Sequence, residues 1–350
     1  MYLYNPFNMI EKPTNNSTSG SKPPVFKKKL PWKQYGEVLK ASYDKLVKRK
    51  NGDIKSLKTR WKSFNSIGIN GIEWQSLIVI GARPGVGKTF VAATIARDLQ
   101  ELNKDQDFNV LHFQFEMLAE NMGIRELSAG TSLDIRYIQS AEDDGMKPLN
   151  PADLLKLKKY SEENVGRKEY IVDLPMSVEQ MRNTIVAFYE HNNRRPIVIT
   201  LDHTLLIKQG ASEKSKQITL QNLSVMLTEM KNRYPVTFII LSQLNRTIDD
   251  AERQKPGTLG NFPTEADIYG SDWLMQCADV VIAYNRPAKY NLSLYGPMKY
   301  TIMPTDKFLL AAHVLKNRFG EMSIQWYQAD YSTMSLVEAV EPYTKAKFSS

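Results

Sequence analysis

Ile78-Val79-Ile80-Gly81-Ala82-Arg83-Pro84-Gly85-Val86-Gly87-Lys88-Thr89 is an apolar run that breaks into a loop holding two glycines. Gly87-Lys88-Thr89 then opens a long helical pattern. This order of strand, loop and helix is what a phosphate-binding loop requires. Glycines let backbone N–H groups close around phosphate oxygens, and the helix N-terminus adds its dipole. Arg83, Pro84, Gly85, Val86 and Gly87 are expected to form the cradle. Lys88 is expected to reach the β- and γ-phosphates, and Thr89 to hold Mg²⁺ through its hydroxyl. One position departs from the general pattern: the first glycine, five residues before Gly87, is Ala82.

Around this loop the chain alternates strands and helices. Apolar runs predict strands over 76–81, 109–115, 169–173, 196–201, 236–241, 279–284, 309–315, 323–328 and 334–338. Helical periodicity predicts helices over 88–103, 118–128, 151–164, 177–192 and 218–233. Runs such as Ile197-Val198-Ile199-Thr200-Leu201 are apolar throughout, as strands buried on both faces must be. Their alternation with helices implies a doubly wound, mostly parallel α/β sheet. After residue 279 the helices stop, so the last strands are expected as antiparallel hairpins on the sheet edge. The expected division is a flexible basic tail over 1–35, a linker-helix region over 36–58, the main domain over 59–340 and a C-terminal tail over 341–350. In the helix at 36–50, Val38, Leu39, Tyr43, Leu46 and Val47 fall at helical spacing, which suits docking onto another surface.

Composition narrows the class. The 350 residues are 42% hydrophobic and 24% charged, ordinary for a globular chain. No apolar run approaches the roughly 18 residues that span a membrane, and no secretory signal stands at the N-terminus. The single cysteine, Cys277, excludes an intrachain disulfide framework and suits a reducing cytosol; a packing role is expected for it. The net charge of +8 is unevenly spread. Residues 1–60 hold 14 Lys or Arg against 4 Asp or Glu, leaving 32 basic and 34 acidic residues in the other 290. Any nucleic-acid surface on the main body must therefore be a local patch.

A phosphate loop needs partners, and strand ends supply them. Asp202 closes the run from Pro196 and would hold Mg²⁺ opposite Thr89. Glu116 follows Val110-Leu111-His112-Phe113-Gln114-Phe115 and could activate the attacking water; an acid starting the next helix would look the same. Gln243, at the end of Phe238-Ile239-Ile240-Leu241-Ser242, could sense the γ-phosphate and pass its state to the long loop over roughly 246–272.

These motifs together resemble the motor domain of the bacterial DnaB-type replicative helicases, within the RecA-like ATPases, over roughly residues 36–340. The carriers are Ala82-Arg83-Pro84-x-x-Gly87-Lys88-Thr89, Phe115-Glu116-Met117, Leu201-Asp202, Leu241-Ser242-Gln243-Leu244-Asn245-Arg246 and Gln276-x-x-Asp279. Lys316-Asn317-Arg318 resembles the family's basic pair that reaches a neighbour's nucleotide. The resemblance implies ATP and Mg²⁺, a homo-oligomeric (hexameric) ring with intersubunit sites, and travel along single-stranded DNA in the 5′ to 3′ direction. It implies Glu116 as the catalytic glutamate, with Arg318 and Lys316 acting in trans. It also implies action in a bacterial cytosol; the departures described next point instead to a phage-infected host.

Two departures qualify what it implies. The family's replicative members carry an N-terminal helical domain for primase and loader contacts, and no such pattern precedes residue 36. The DNA-gripping loop of the family reads Asp-Leu-Arg-Glu-Ser-Gly; this chain reads Asp267-Ile268-Tyr269-Gly270-Ser271-Asp272. DNA contact is then expected from Arg246, Tyr269, Gly270, Lys214 and Lys216, with Lys208 as a further candidate. Two other readings stay open: a filament-forming recombinase or repair ATPase, and a non-motor ATP-binding adaptor.

Overall fold

The computed structural model describes residues 32–140, 147–210, 213, 215–255, 261–268 and 271–344. Residues 1–31 of the expected tail, along with Lys214, Tyr269 and Gly270, lie outside them. The chain divides into two compact units, Met1–Lys55 and Ser56–Ser350. In the first, helix α1 (Tyr35–Lys50) ends in Lys48, Arg49 and Lys50, cations at the negative end of its dipole. None of its residues is buried, and Leu39, Tyr43 and Leu46 stand exposed.

The second unit is built on one sheet. Among the described residues it joins nine strands: β1 (Leu77–Ala82), β2 (Asn109–Gln114), β3 (Glu169–Val172), β4 (Ile197–Asp202), β5 (Val236–Gln243), β6 (Val280–Asn285), β9 (Leu309–Asn317), β10 (Ile324–Asp330) and β11 (Ser335–Glu338). Their order is β11-β10-β9-β6-β1-β5-β4-β2-β3. The run from β6 to β3 is parallel, and β9, β10 and β11 add on antiparallel. A separate two-stranded piece, β7 (Leu294–Tyr295) with β8 (Tyr300–Thr301), fills the connection from β6 to β9.

Helices cover both faces because successive strand side chains point to opposite sides. Ile78, Ile80 and Ala82 of β1 pack with α2 (Lys62–Ile67) and α3 (Lys88–Leu102). Leu77 and Val79 pack on the other face with α6 (Val178–His191), α7 (Lys216–Arg233) and α8 (Ser271–Cys277). Helices α4 (Ala119–Thr131) and α5 (Pro151–Asn164) pair with each other near the β2–β3 edge. Helix α6 starts with a full capping box between Ser177 and Gln180, and α5 with Asn150 ahead of Pro151. Among the described residues, no helix is long and apolar enough to cross a membrane.

Two expectations are corrected. The stretch 246–272 is not one open loop: single 3-10 turns occupy Arg246–Asp249 and Glu265–Asp267, and α8 begins at Ser271. Helix α2 adds to the expected set, since six residues are too few to display a helical period. Trp61, just ahead of it, is buried against Tyr327 and donates its indole N–H to the Leu336 carbonyl at 3.0 Å. Cys277 is partly buried, and burial pushes its thiol up to about 11, away from reactivity.

A third apolar cluster joins β7 and β8 to β9 and β10 around Trp326. Inside it His313 stacks on Phe262 with ring centres 5.5 Å apart and meets the Tyr295 hydroxyl at 2.8 Å. Burial pushes the His313 imidazole down to about 3. The unfolded chain takes up that proton near the ordinary value of about 6.5. The unfolded state therefore binds more protons below that pH. Stability from this residue is fully present above about 6.5 and falls as pH drops toward 3, by up to about 1.4 kcal/mol per unit. Urea unfolding at pH 7, 6 and 5 measures it: the wild type loses stability across the series, and His313→Gln shows a slope shallower by one proton.

Candidate active site

The phosphate loop sits where β1 stops. Gly85 and Gly87 have φ of 76° and 108°, a left-handed backbone that side chains disfavour. A Cβ on Gly87 would also meet the Tyr331 ring at 3.2 Å. Ala82, in contrast, is still in the strand, paired with Gln243 of β5 and Tyr284 of β6 and fully buried. A methyl group there fills core, which is why the general motif's glycine is dispensable at this position. Tyr331 holds the loop from beneath: its hydroxyl donates to the Val86 carbonyl at 2.6 Å, and its ring lies 5.7 Å from that of Phe90. Gly87 offers no side-chain cap to α3, so the N–H groups of its first turn remain for an anion.

The expected partners gather at this end of the sheet. Strands β2 and β4 are in register with Gln114 opposite Asp202, and the Phe115 N–H donates to the Asp202 carbonyl at 2.6 Å. That brings Glu116 beside Asp202. Lys88 Nζ lies 3.1 Å from Asp202 Oδ1 and 3.2 Å from Glu116 Oε2. The Thr89 hydroxyl donates to Asp202 Oδ2 at 2.6 Å. Lys88 and Asp202 are buried, whereas the Glu116 side chain is 50% exposed and open to water. Gln243 ends β5, beside Ala82 and thus beside the loop. A cavity of about 430 Å³ opens next to Thr89 and Asp202 and runs beneath α4 and α5, with Ala92, Ala93 and Ala96 on its wall.

The donor set fits Mg²⁺ carried by a nucleotide. The Thr89 hydroxyl and the Asp202 carboxylate are hard oxygen donors already in contact. Among the described residues, no group of three or more His, Cys, Asp or Glu side chains could hold a metal ion by itself. The remaining ligands would have to be phosphate oxygens and water.

Other residues fall elsewhere. The Arg83 guanidinium turns sideways, donating to Asp249 Oδ2 at 2.7 Å and to the Leu244 carbonyl at 3.0 Å. Arg318 and Lys316 lie at the opposite end of the sheet. Arg318 contacts Asp279 Oδ1 at 3.0 Å, and Lys316 donates to the Met275 carbonyl. Asp279 in turn accepts from the N–H of Leu77, the first residue of β1. At about 3.3 Å per residue, the length of β1 puts roughly 17 Å between that end and Ala82. The structure thus does not bring the basic pair to Lys88 of the same chain. Arg246 is exposed on its turn. Lys216 is drawn in to the Ile207 carbonyl at 2.5 Å, and burial lowers its pKa. The Lys208 N–H bonds the Met176 carbonyl.

Three contacts had no signal in the sequence. His203, next to Asp202, is buried, and burial first and the Lys88 charge second keep its pKa low. It therefore adds no second cation beside Lys88. Tyr331 and Asp249 reach the loop from far along the chain.

The parallel core, the phosphate loop at its central strand and the acid on the strand two places away define a RecA-like P-loop fold. Within that class the assignment is narrower. The family described as DnaB-like helicase C terminal domain matches residues 56–332, and the chain belongs to it. It is 26% identical to the replicative DNA helicase DnaB of Geobacillus stearothermophilus, over 74% of this chain and 54% of that protein. It is 28% identical to the replicative DNA helicase DnaC of Bacillus subtilis, over 73% of this chain and 53% of that one. The chain thus spans about half the length of these relatives. Among solved structures, one described as an ATPase domain superposes with a TM-score of 0.71 at 20% identity, over 88% of this chain and 99% of that one. A DnaB-like replicative helicase, described with its interactions with primase, gives 0.68 at 20% identity, over 87% and 66%. At that identity the two structures show the fold.

Asp279 offers a direct test of the far end of the sheet. Its carboxylate holds Lys231 at 2.6 Å, Arg318 at 3.0 Å and the Leu77 N–H at 2.8 Å. Asp279→Ala leaves the largely enclosed Lys231 ammonium, 12% exposed, unpaired and is expected to lower urea-unfolding stability by about 3 kcal/mol.

Proposed function

We propose that the chain is the motor of an ATP-driven, ring-forming helicase that moves along single-stranded DNA, 5′ to 3′, in a bacterial cytosol or phage-infected host. The observation that carries this reading is the convergence of Lys88, Thr89, Asp202 and Glu116 within hydrogen-bond reach at the phosphate loop. Membership of the DnaB-like helicase family supports it.

The roles follow from position. Lys88 leaves its two carboxylates to neutralise β- and γ-phosphate oxygens. Thr89 and Asp202 would hold Mg²⁺, which when bound offsets charge on the phosphates. Glu116 orients the attacking water and takes its proton as the water oxygen bonds to the γ-phosphorus and ADP leaves. The Gln243 amide, at the strand end beside Ala82, reports whether the γ-phosphate is present. Arg318 and Lys316, at the far end of their own sheet, serve the nucleotide of an adjacent subunit, so each site is shared. DNA runs against the segments near Arg246 and residues 267–272, with the backbone contributing where the family's arginine is replaced.

Strand displacement on a forked duplex with ATP tests this reading. Wild type unwinds, while Lys88→Ala and Arg318→Ala do not; loss of a trans arginine alone is expected to cost about 10³-fold or more in ATPase rate. Mixing the two variants restores part of the ATPase activity, because a neighbour with intact Arg318 can complete a site with intact Lys88. No unwinding by wild type refutes the motor. Filaments rather than closed rings in negative-stain images would point to the recombinase reading, and absence of DNA-stimulated hydrolysis to the adaptor.

A further inference from the structure

Arg83 belongs to the phosphate loop by sequence, yet its guanidinium faces the segment that follows β5. Its partner Asp249 uses both carboxylate oxygens on different elements. Oδ2 accepts from Arg83 at 2.7 Å, and Oδ1 accepts from the Tyr290 hydroxyl at 2.6 Å in the turn after β6. Asp249 ends the 3-10 turn Arg246–Asp249, which packs on the turn Glu265–Asp267. Within this pair of turns the Thr247 hydroxyl donates to Asp267 at 3.3 Å, the Asn245 N–H donates to the Asp267 carbonyl at 2.6 Å, and Arg253 forks onto both Asp267 carboxylate oxygens. The next residue, Ile268, bridges to Leu244 and rests on the strand that feeds the loop: a Cβ on Gly81 would meet Ile268 Cδ1 at 2.6 Å.

The Asp249 carboxylate thus ties Arg83 to the turn Arg246–Asp249, which packs on the turn ahead of Ile268. The Asp249 side chain is 32% exposed, and Arg83, 14% exposed, keeps its bond to the Leu244 carbonyl when Asp249 is removed, so the loss is expected to lower stability without unfolding the chain. A partly exposed pair joining two functional loops is better placed to set their relative position than to hold the core.

We propose that Asp249 is a positioning residue that carries the state of the phosphate loop to Asp267 and Ile268, and thereby couples nucleotide binding to single-stranded DNA binding. The proposal rests on the reading above that the segment beginning at Asp267 meets DNA.

The test measures affinity of the full chain for a fluorescein-labelled oligo-dT, with ADP and with a non-hydrolysable ATP analogue. Wild type is expected to show a ratio of about fivefold or more between the two states, the lower end of ordinary coupling between sites. In Asp249→Ala the ratio collapses to within about twofold of unity, while nucleotide affinity without DNA stays at the wild-type value and a cooperative thermal transition shows the chain still folded. Tyr290→Phe lowers the ratio partway, and Asp249→Glu recovers part of it. A wild-type ratio in folded Asp249→Ala overturns the proposal. So does a fall in its nucleotide affinity without DNA, which would place Asp249 in the phosphate site itself. Wild type that binds no DNA, or binds it equally in both states, refutes the motor reading and the coupling with it.

Discussion

Strand β1 is hydrogen-bonded along both edges and buried on both faces, and this constraint orders the rest of the unit. A strand so enclosed has no room for charge along its length, since an unpaired charge there would be prohibitively costly. Polar chemistry is confined to its two ends. At the carboxyl end the phosphate loop meets Asp202, Glu116 and Gln243. At the amino end the Leu77 N–H meets Asp279, which collects Lys231 and Arg318. The sheet is thus a plate with an anion-accepting rim and a separate ionic rim. The antiparallel β9 delivers Arg318 to the second rim, away from its own chain's loop.

Within the first rim, electrostatics favours readiness over strength. Lys88 is shared between two carboxylates, one buried and one half exposed. The buried partner keeps the ammonium in place. The exposed partner is the more loosely held and keeps access to water. His203, held neutral by burial and by Lys88, leaves the charge balance of the rim to these three groups.

Much of this is legible in the sequence where a local rule applies. Ile197–Leu201 and Phe238–Leu241 read as buried parallel strands because enclosure on both faces demands continuous apolarity. The place of the phosphate loop reads from glycines that answer a backbone requirement, and the meeting of Asp202 and Glu116 from acids that follow neighbouring strands. What escapes has no local signature. Helix α2 and strands β7 and β8 are too short to show a period. The break-up of 246–272 into turns depends on Asp267 and Arg253 meeting across the loop. Tyr331 under Val86, 245 residues apart in the chain, and Asp249 against Arg83, 166 apart, are products of tertiary folding alone. Arg83 falls in the cradle by motif, whereas its charge is directed at the neighbouring segment.

The central position of β1 also bears on how the chain comes to be folded. The Leu77 N–H finds its carboxylate 202 residues later, and the Trp61 indole its carbonyl 275 residues later. During synthesis the earliest strand of the sheet must therefore stay without partners until most of the polypeptide exists. Such long closures slow folding and leave apolar strand edges open to wrong pairing. The phosphate loop takes its final shape only once β5 and β6 have arrived to flank β1. An arrested or truncated nascent chain would carry the motif without the means to use it, and its exposed strand would call for a chaperone.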